Sequence, residues 1–382
     1  MTDPIVIVGG GLAAGTAVTE LRELGYDGDV VLVAGEPHVP YERPPLSKGF
    51  LVGEKSAEST YVHPADWYAD QRVDLRTGTD ALRIDTEAHT LATSEGTITW
   101  SRLLLATGAR PRRLPLDATE EIEVHYLRTL DDSVALRERL GDGRRLLVVG
   151  GGWIGMEVAA SAHQLGTSVT LVEPTEQPLL AALGPEVGAR FAAAHRKRGV
   201  DLRTGTGLDH LAGTTATLDD GTTVEVDTVL VGIGAVPNDE LAREAGLAVD
   251  NGVLVDAGLR ASHADVFAAG DVANAEHPLL GERVRVEHWQ NAISQGKAAA
   301  HALAGEDVSF EELPYFFTDQ YDLGMEYFGH VGSAGFDDLR IEGEDPESFA
   351  CYWWRGDRLV AAMHVNQWDR SDELKARVQE GR

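Results

Sequence analysis

Cysteine is nearly absent from this chain: 382 residues include one, Cys351. An intrachain disulfide cannot form, and no CxxC redox pair exists. One thiolate cannot build a cysteine-ligated iron–sulfur cluster or a zinc ribbon. Electron transfer here would therefore need a bound cofactor rather than protein thiols, and no metal site is expected. Long apolar runs are also missing; none approaches the roughly 20 residues that span a bilayer. The sequence passes from MTDP straight into an apolar strand, with no basic segment before a hydrophobic core and no small-residue cleavage site. A cytoplasmic protein without a secretory leader is expected. Positive charge is scarce too: 33 Lys and Arg face 62 Asp and Glu, a formal net charge of −29. Such a field repels nucleic acid and anionic membranes, so neither is an expected partner. A solubility adaptation is the plain reading of this acidity.

The length is too great for one compact core, so two or three domains are expected. Glycine is abundant, and its placement carries information. Residues 5–15 read IVIVGGGLAAG: four apolar β-formers, then Gly9, Gly10 and Gly11, then a helix-like stretch ending at Gly25. A second apolar strand, VVLVAGE, closes on Glu36. This is a βαβ unit. Gly9 permits the tight turn, Gly11 lets backbone N–H groups approach a pyrophosphate, and Ala14, or Gly15 beside it, keeps the helix close to the strand. The pattern returns 141 residues later in LLVVGGGWIG, where Gly150, Gly152 and Gly155 complete a GxGxxG around Ile154. The helix MEVAASAHQLG and the strand SVTLVE follow, ending on Glu173. One glycine-rich turn alone is often only a turn. Two, each between strand and helix and each followed by a strand ending in a carboxylate, point to two dinucleotides. Glu173 can accept hydrogen bonds from ribose hydroxyls and would repel a 2′-phosphate, and PTEQP after it holds no cation. The second nucleotide is therefore expected to be NADH.

Three further apolar stretches end in glycine: LLLATG, with Thr107 and Gly108; VLVGIG, with Gly234; and VFAAGD, with Asp271. Strand carboxyl ends face the ligand crevice in doubly wound sheets, and small residues there admit a cofactor. Asp271 can hydrogen-bond a polyol, or simply cap the next helix.

The order GGGLAAG, RPPLSK, ATGARP, LRTLDD, GGGWIGMEVA, GIGAVPN, AAGDVA resembles that of the two-dinucleotide flavoprotein reductases. In particular it resembles the NADH-dependent ferredoxin and rubredoxin reductases that serve oxygenases, members of the pyridine nucleotide-disulfide oxidoreductase superfamily without its redox disulfide. The likeness runs from residue 4 to about residue 370. It implies an α/β fold with two Rossmann-like dinucleotide-binding domains, for FAD and NAD, plus a small α+β C-terminal domain. The FAD domain would comprise residues 1–109 and 238–305, the NADH domain 110–237, and the C-terminal interface domain 306–382.

Residues 41–50, YERPPLSKGF, carry the most specific part of the resemblance. Proline pushes the residue before it out of the helical region, and Pro45 can open a helix. Lys48 is then expected in the first turn of that helix, where a cation opposes the dipole. A solvated surface lysine is the alternative. Related enzymes that reduce disulfides or peroxide present a cysteine from this helix; the ferredoxin reductases have a lysine there. The resemblance implies that Lys48 lies near the hydride-accepting nitrogen of the flavin and pairs with Glu157. Glu157 could instead merely suit the dipole of its own helix. The resemblance also carries over Ala13, Glu36, Arg43, Ala81, Arg128, His288 and Trp289 as cofactor-binding. Arg43 and Arg128 would face the FAD phosphates or ring edge, or form surface ion pairs. Trp289 would lie at the pyrimidine end of the ring, or be a core residue. Relatives often have an acid where Gly35 stands, so Glu36 is taken as the holder of the FAD ribose.

Two departures bear on the partner. The sequence ends after VNQWDRSDELKARVQEGR, where relatives are expected to continue, which implies a trimmed C-terminal domain. That domain is also acidic: residues 301–382 hold 18 Asp and Glu against 7 Lys and Arg. A reductase of acidic ferredoxins should offer a basic patch. The visible basic clusters are Arg110, Arg112 and Arg113, and Arg196, Lys197 and Arg198. The expected activity is reduction of ferredoxin or rubredoxin at the cost of NADH by a monomer or homodimer. A quinone or organic-radical reductase and a redox-gated interaction flavoprotein are the alternatives.

Overall fold

The structure, a computed structural model, describes residues 3–116, 119–332 and 334–382. Its contacts separate two compact units. The first is formed by residues up to Arg43, by Glu58–Arg110 and by Val236–Phe316; the second by Pro44–Ala57, Pro111–Ala235 and Phe317–Arg382.

The first unit is built on a five-stranded parallel sheet in the order Val266–Ala268, Arg102–Leu105, Ile5–Val8, Val30–Ala34, Val73–Thr77. Ile5–Val8 and Val30–Ala34 are buried at every position. This is why they read as unbroken apolar runs rather than alternating ones: a parallel sheet covered on both faces has no solvent side. Helix Leu12–Glu23 makes the crossover between them, burying Ala13, Ala14, Ala17, Val18 and Leu21. It stops where Gly25 takes a left-handed φ of 78° and Tyr26 N–H reaches back to Leu21 O. Helix Trp289–Ala304 packs against this helix. The contact is close at Gly296, where a Cβ would lie 2.6 Å from Ala13 O.

The second unit repeats the design. Its parallel sheet runs Asp201–Thr204, Ser168–Glu173, Arg145–Val149, Thr228–Val231, Glu123–His125. Helix Trp153–Gln164 is the crossover between Arg145–Val149 and Ser168–Glu173. A five-stranded sheet follows, ordered Tyr315–Gln320, Leu323–Gly329, Arg358–Val365, Phe349–Arg355, Asp338–Glu342. Helix Ser371–Glu380 packs on its two strands Leu323–Gly329 and Arg358–Val365.

The segment Pro44–Ala57 groups with the second unit. Hydrogen bonds explain this. Ser133 Oγ donates to Leu46 O and Ser161 Oγ to Ser47 O, each at 2.7 Å, which ties the segment to helices Leu130–Arg137 and Trp153–Gln164. Residues 317–382 also group with the second unit. Among the described residues no helix is long and apolar enough to cross a membrane.

Candidate functional site

Both glycine turns have the same construction. In the first, Gly9 has a φ of 131°, and a Cβ there would lie 2.1 Å from Ala106 O, at the end of the neighbouring strand. In the second, Gly150 has a φ of 107°, and its Cβ would lie 2.4 Å from Gly232 O. Only glycine fits where two strand ends close on one another with that backbone conformation. The next fingerprint glycine behaves oppositely. A methyl at Gly11 meets nothing within 4 Å, and one at Gly152 meets only Gly232 O at 3.8 Å. Packing within the protein does not require glycine at these positions. At the third position Gly155 would place a Cβ 2.0 Å from Gly150 O, whereas the first unit accommodates Ala14, fully buried. Gly15 makes room instead for Pro40 and Val62. Helices Leu12–Glu23 and Trp153–Gln164 begin at Gly11 and Gly152 with no side-chain cap and no acid in the first turn. Their N-terminal N–H groups and positive dipole ends suit a pyrophosphate. The residues present therefore fit one dinucleotide in each unit.

The acids at the second strand ends are fixed differently. Glu173 Oε2 accepts from Gly151 N at 2.7 Å, and its Oε1 accepts from Thr175 N at 2.9 Å and Thr175 Oγ1 at 2.8 Å. The carboxylate is thus held beside the glycine turn. Glu36 binds Arg43 Nη2 at 2.9 Å and accepts the hydroxyl of Tyr41; Arg43 also donates to Tyr41 Oη at 3.1 Å. Burial opposes the charge on Arg43, but Tyr41, Glu36 and Asp271 together hold its guanidinium above its ordinary pKa. Asp271 lies in the 3₁₀ turn Gly270–Val272, whose Gly270 N–H donates to Gln295 Oε1 and where a Cβ on Gly270 would lie 3.0 Å from Ala13 Cβ. His288 and Trp289 are the N-cap and first residue of helix Trp289–Ala304, with the His288 ring 4.7 Å from that of Phe316. Glu36, Arg43, Asp271, Ala13, His288 and Trp289 all belong to the first unit. Ala81 opens the strand Ala81–Asp85 in that unit. Thr107 and Gly108 are occupied by Asn238: Thr107 Oγ1 donates to Asn238 O, Asn238 Nδ2 to Thr107 O, and Asn238 N to Gly108 O. Arg128, Ile154 and Gly234 lie in the second unit. There Ile154 is an exposed residue of the crossover helix, and Gly234 O accepts from Arg112 N.

Lys48 departs from one expectation. PPLS forms a single 3₁₀ turn, Pro44–Ser47, and Lys48 follows it rather than sitting in the first turn of an α-helix. Its N–H and that of Phe50 both return to Pro45 O, which closes the turn before Gly49 can extend a helix. The dipole conflict therefore does not arise. Lys48 Nζ lies 2.7 Å from Glu157 Oε1 and over the ring of Phe317. Glu157 is almost wholly buried, with Ser47 Oγ donating to its Oε2 at 2.5 Å and Thr318 Oγ1 to its Oε1 at 2.6 Å. Ser47 and Thr318 were not singled out from sequence. Nothing local marks them, because their bonds to Glu157 span 110 and 161 positions.

One basic cluster is spent internally. Arg196 donates to Leu202 O, while Lys197 and Arg198 bind Glu347, and Arg198 also binds Asp322. Arg110 is paired with Glu240, and Arg113 lies over Tyr126. Among the described residues, His89, His263 and Asp265 gather three potential metal-ligand atoms. They sit by the amino end of strand Val266–Ala268, whereas the glycine turn lies at the carboxyl end of the parallel strand Ile5–Val8.

Residues 3–296 match the family described as pyridine nucleotide-disulphide oxidoreductase. The chain is 42% identical to the ferredoxin–NAD(+) reductase component of the anthranilate 1,2-dioxygenase system of Burkholderia cepacia, over 95% of this chain and 91% of that one. It is 37% identical to putidaredoxin reductase of Pseudomonas putida, over 96% and 89%. Among solved structures it resembles the covalent putidaredoxin reductase–putidaredoxin complex, with a TM-score of 0.95 and 35% identity over 99% of this chain and 93% of that one.

Proposed function

The chain belongs to the pyridine nucleotide-disulphide oxidoreductase family, and from that premise we infer that it is an NADH-dependent flavoprotein reductase of a small electron-transfer protein, a ferredoxin or rubredoxin serving an oxygenase. The observation that carries this reading is the Lys48–Glu157 pair in a chain whose one cysteine, Cys351, is buried. Burial pushes the Cys351 thiol up to about 12, which leaves it inert as a redox partner. A reductase built this way has no thiol to carry electrons onward. FAD, when bound, supplies the conversion of a two-electron donor into single-electron deliveries.

The chain's own residues bind and orient. In this reading FAD occupies the domain of residues 1–109 and 238–305. Gly9, Gly11, Ala13 and Ala14 line its phosphates, Glu36 takes the ribose with Arg43 steadying it, and Ala81, Thr107, Gly108, Arg128, Asp271, His288 and Trp289 complete the site. NADH occupies residues 110–237, on Gly150, Gly152, Ile154, Gly155, Glu173 and Gly234. Glu173, with one oxygen bonded to the glycine loop and the other to Thr175, favours a free 2′-hydroxyl over a 2′-phosphate. Lys48 supplies a fixed cation to the flavin, and Glu157 aims it. Residues 306–382 meet the acceptor. We place the protein in the cytoplasm.

Acceptor turnover tests the reading. Protein loaded with FAD and supplied with NADH is expected to reduce ferredoxin or rubredoxin quickly and quinones slowly. The acidic residues 301–382 and the internal pairing of Lys197 and Arg198 favour a second reading, a small-molecule acceptor. Fast quinone turnover with slow ferredoxin turnover would establish it.

A further inference from the structure

Glu157 is the end of a longer polar chain, all within the second unit. Behind Thr318, Gln320 Nε2 approaches Thr318 Oγ1 at 3.3 Å, and Gln320 Oε1 approaches His195 Nε2 at 2.9 Å. His195 Nδ1 lies 3.3 Å from Tyr321 Oη. Thr318, Gln320 and His195 are each fully buried. Tyr321 reaches His195 from a turn residue with a φ of 57°.

The direction of every bond in this chain is fixed by its first member. A carboxylate paired with an ammonium is an acceptor only, so Thr318 must donate to Glu157. The Thr318 hydroxyl then accepts, which turns the amide N–H₂ of Gln320 toward it. The amide oxygen therefore faces His195, whose Nε2 must carry the proton. Nδ1 is left bare to accept from the Tyr321 hydroxyl. We propose that Thr318, Gln320 and His195 are positioning residues that hold the Glu157 carboxylate toward Lys48 through hydrogen bonds running one way, inward from Tyr321.

The inference rests on the reading of Lys48 and Glu157 given above. Its surroundings support a neutral imidazole. Burial first, then Arg198 and His163, lower His195 against the opposing bond from Gln320, to about 4. Burial pushes the Tyr321 phenol up, so it keeps its proton to donate. Arg198 lies over the Tyr321 ring, and His163 packs edge-on against it. The chain is not a proton wire, because the amide of Gln320 would have to pass through an imidic acid. It is a train of aligned dipoles whose oriented ends strengthen one another in a dry interior.

The test uses the full-length, FAD-loaded protein and its variants Lys48→Ala, Thr318→Val, Thr318→Ser and Gln320→Met. The limiting rate of flavin reduction is expected to fall about tenfold in Thr318→Val and about fivefold in Gln320→Met, the loss of hydrogen bonds to or behind a charged group. Thr318→Ser should restore the rate to within about twofold, and the double variant Thr318→Val/Gln320→Met should be no slower than Thr318→Val alone, because both cut one path. The NADH Kd and the FAD content should not change. Nitrogen-15 NMR of histidine-labelled protein, with His195→Gln to assign the signal, should show His195 protonated at Nε2 and bare at Nδ1. That tautomer should persist in Glu157→Gln, because Lys48, a donor only, keeps the amide oxygen on the side that Thr318 shares. Wild-type rates in Thr318→Val and Gln320→Met beside a slow Lys48→Ala would overturn the proposal and leave the reading of Lys48 standing. A wild-type rate in Lys48→Ala would sink that reading itself. Losses that follow FAD content, or a Kd change alone, would reduce the chain to a structural role. If the variants fail to fold, the wild-type spectrum decides: a cationic His195 or one protonated at Nδ1 overturns the proposal.

Discussion

Glu173 makes three hydrogen bonds within the protein yet stays half-buried, poised to accept more. Replacing it with alanine should raise the NADH Kd about tenfold, the loss of a bond to a charged acceptor, and narrow the preference over NADPH. Isothermal titration with both nucleotides measures this; an unchanged preference would place the ribose elsewhere. Lys48 and Glu157 carry the sharper prediction. Lys48→Ala leaves a carboxylate buried without its cation, so flavin reduction should slow while FAD stays bound, and thermal stability should drop. Adding Glu157→Gln should recover much of that stability without recovering the rate. His195 sets a pH dependence. Its imidazole falls from an ordinary 6.5 to about 4 in the fold. Between those values the unfolded chain takes up a proton that the folded protein refuses, so stability falls as pH drops below about 6.5 and levels off near 4. At pH 5 this contributes a loss of about 2 kcal/mol relative to pH 7.5. Urea midpoints at the two pH values should differ less in His195→Gln than in the wild type.

At the scale of elements, the two strand–turn–helix segments separate glycines that serve the fold from those that serve a ligand. Gly155→Ala drives a methyl to 2.0 Å from Gly150 O, so the second loop must rearrange, and both thermal stability and NADH binding should fall. Gly11→Ala and Gly152→Ala meet no such wall. They should melt like the wild type, yet lose FAD and NADH affinity respectively, because the methyl stands where backbone N–H groups must meet a pyrophosphate. A joint loss of stability at Gly11 would contradict this division. Both βαβ segments were legible in the sequence because strand, glycine turn and helix are contiguous and their signals are local. The 3₁₀ turn at Pro44–Ser47 was not. Proline announces a turn or a helix start equally well, and only the hydrogen bonds from Ser133 and Ser161 fix where the segment lies.

For the whole molecule, a net charge of −29 should govern encounter with any acidic partner. Repulsion slows such an association at low salt, and screening within about 8 Å at physiological ionic strength relieves it. Turnover with an acidic ferredoxin is therefore expected to rise as NaCl increases from 10 to about 150 mM. A fall over that range would reveal a local basic docking face strong enough to outweigh the total charge. The chain had offered Arg196, Lys197 and Arg198 as such a face, but Lys197 and Arg198 are satisfied by Glu347 and Asp322. A run of cations in sequence says nothing about which anions the fold will set against it.

By itself the sequence determined the two dinucleotide folds, the acids at their second strand ends and the absence of a redox thiol. Each of these is written in residues that are neighbours along the chain, where backbone period and steric need act directly. Tertiary structure alone decided that Glu36 is held by Arg43 and Tyr41, that Pro44–Ala57 groups with the second unit, and that Glu157 gathers Lys48, Ser47 and Thr318. A buried carboxylate must find its donors wherever the fold brings them, and for Glu157 these lie more than a hundred residues away in either direction along the chain.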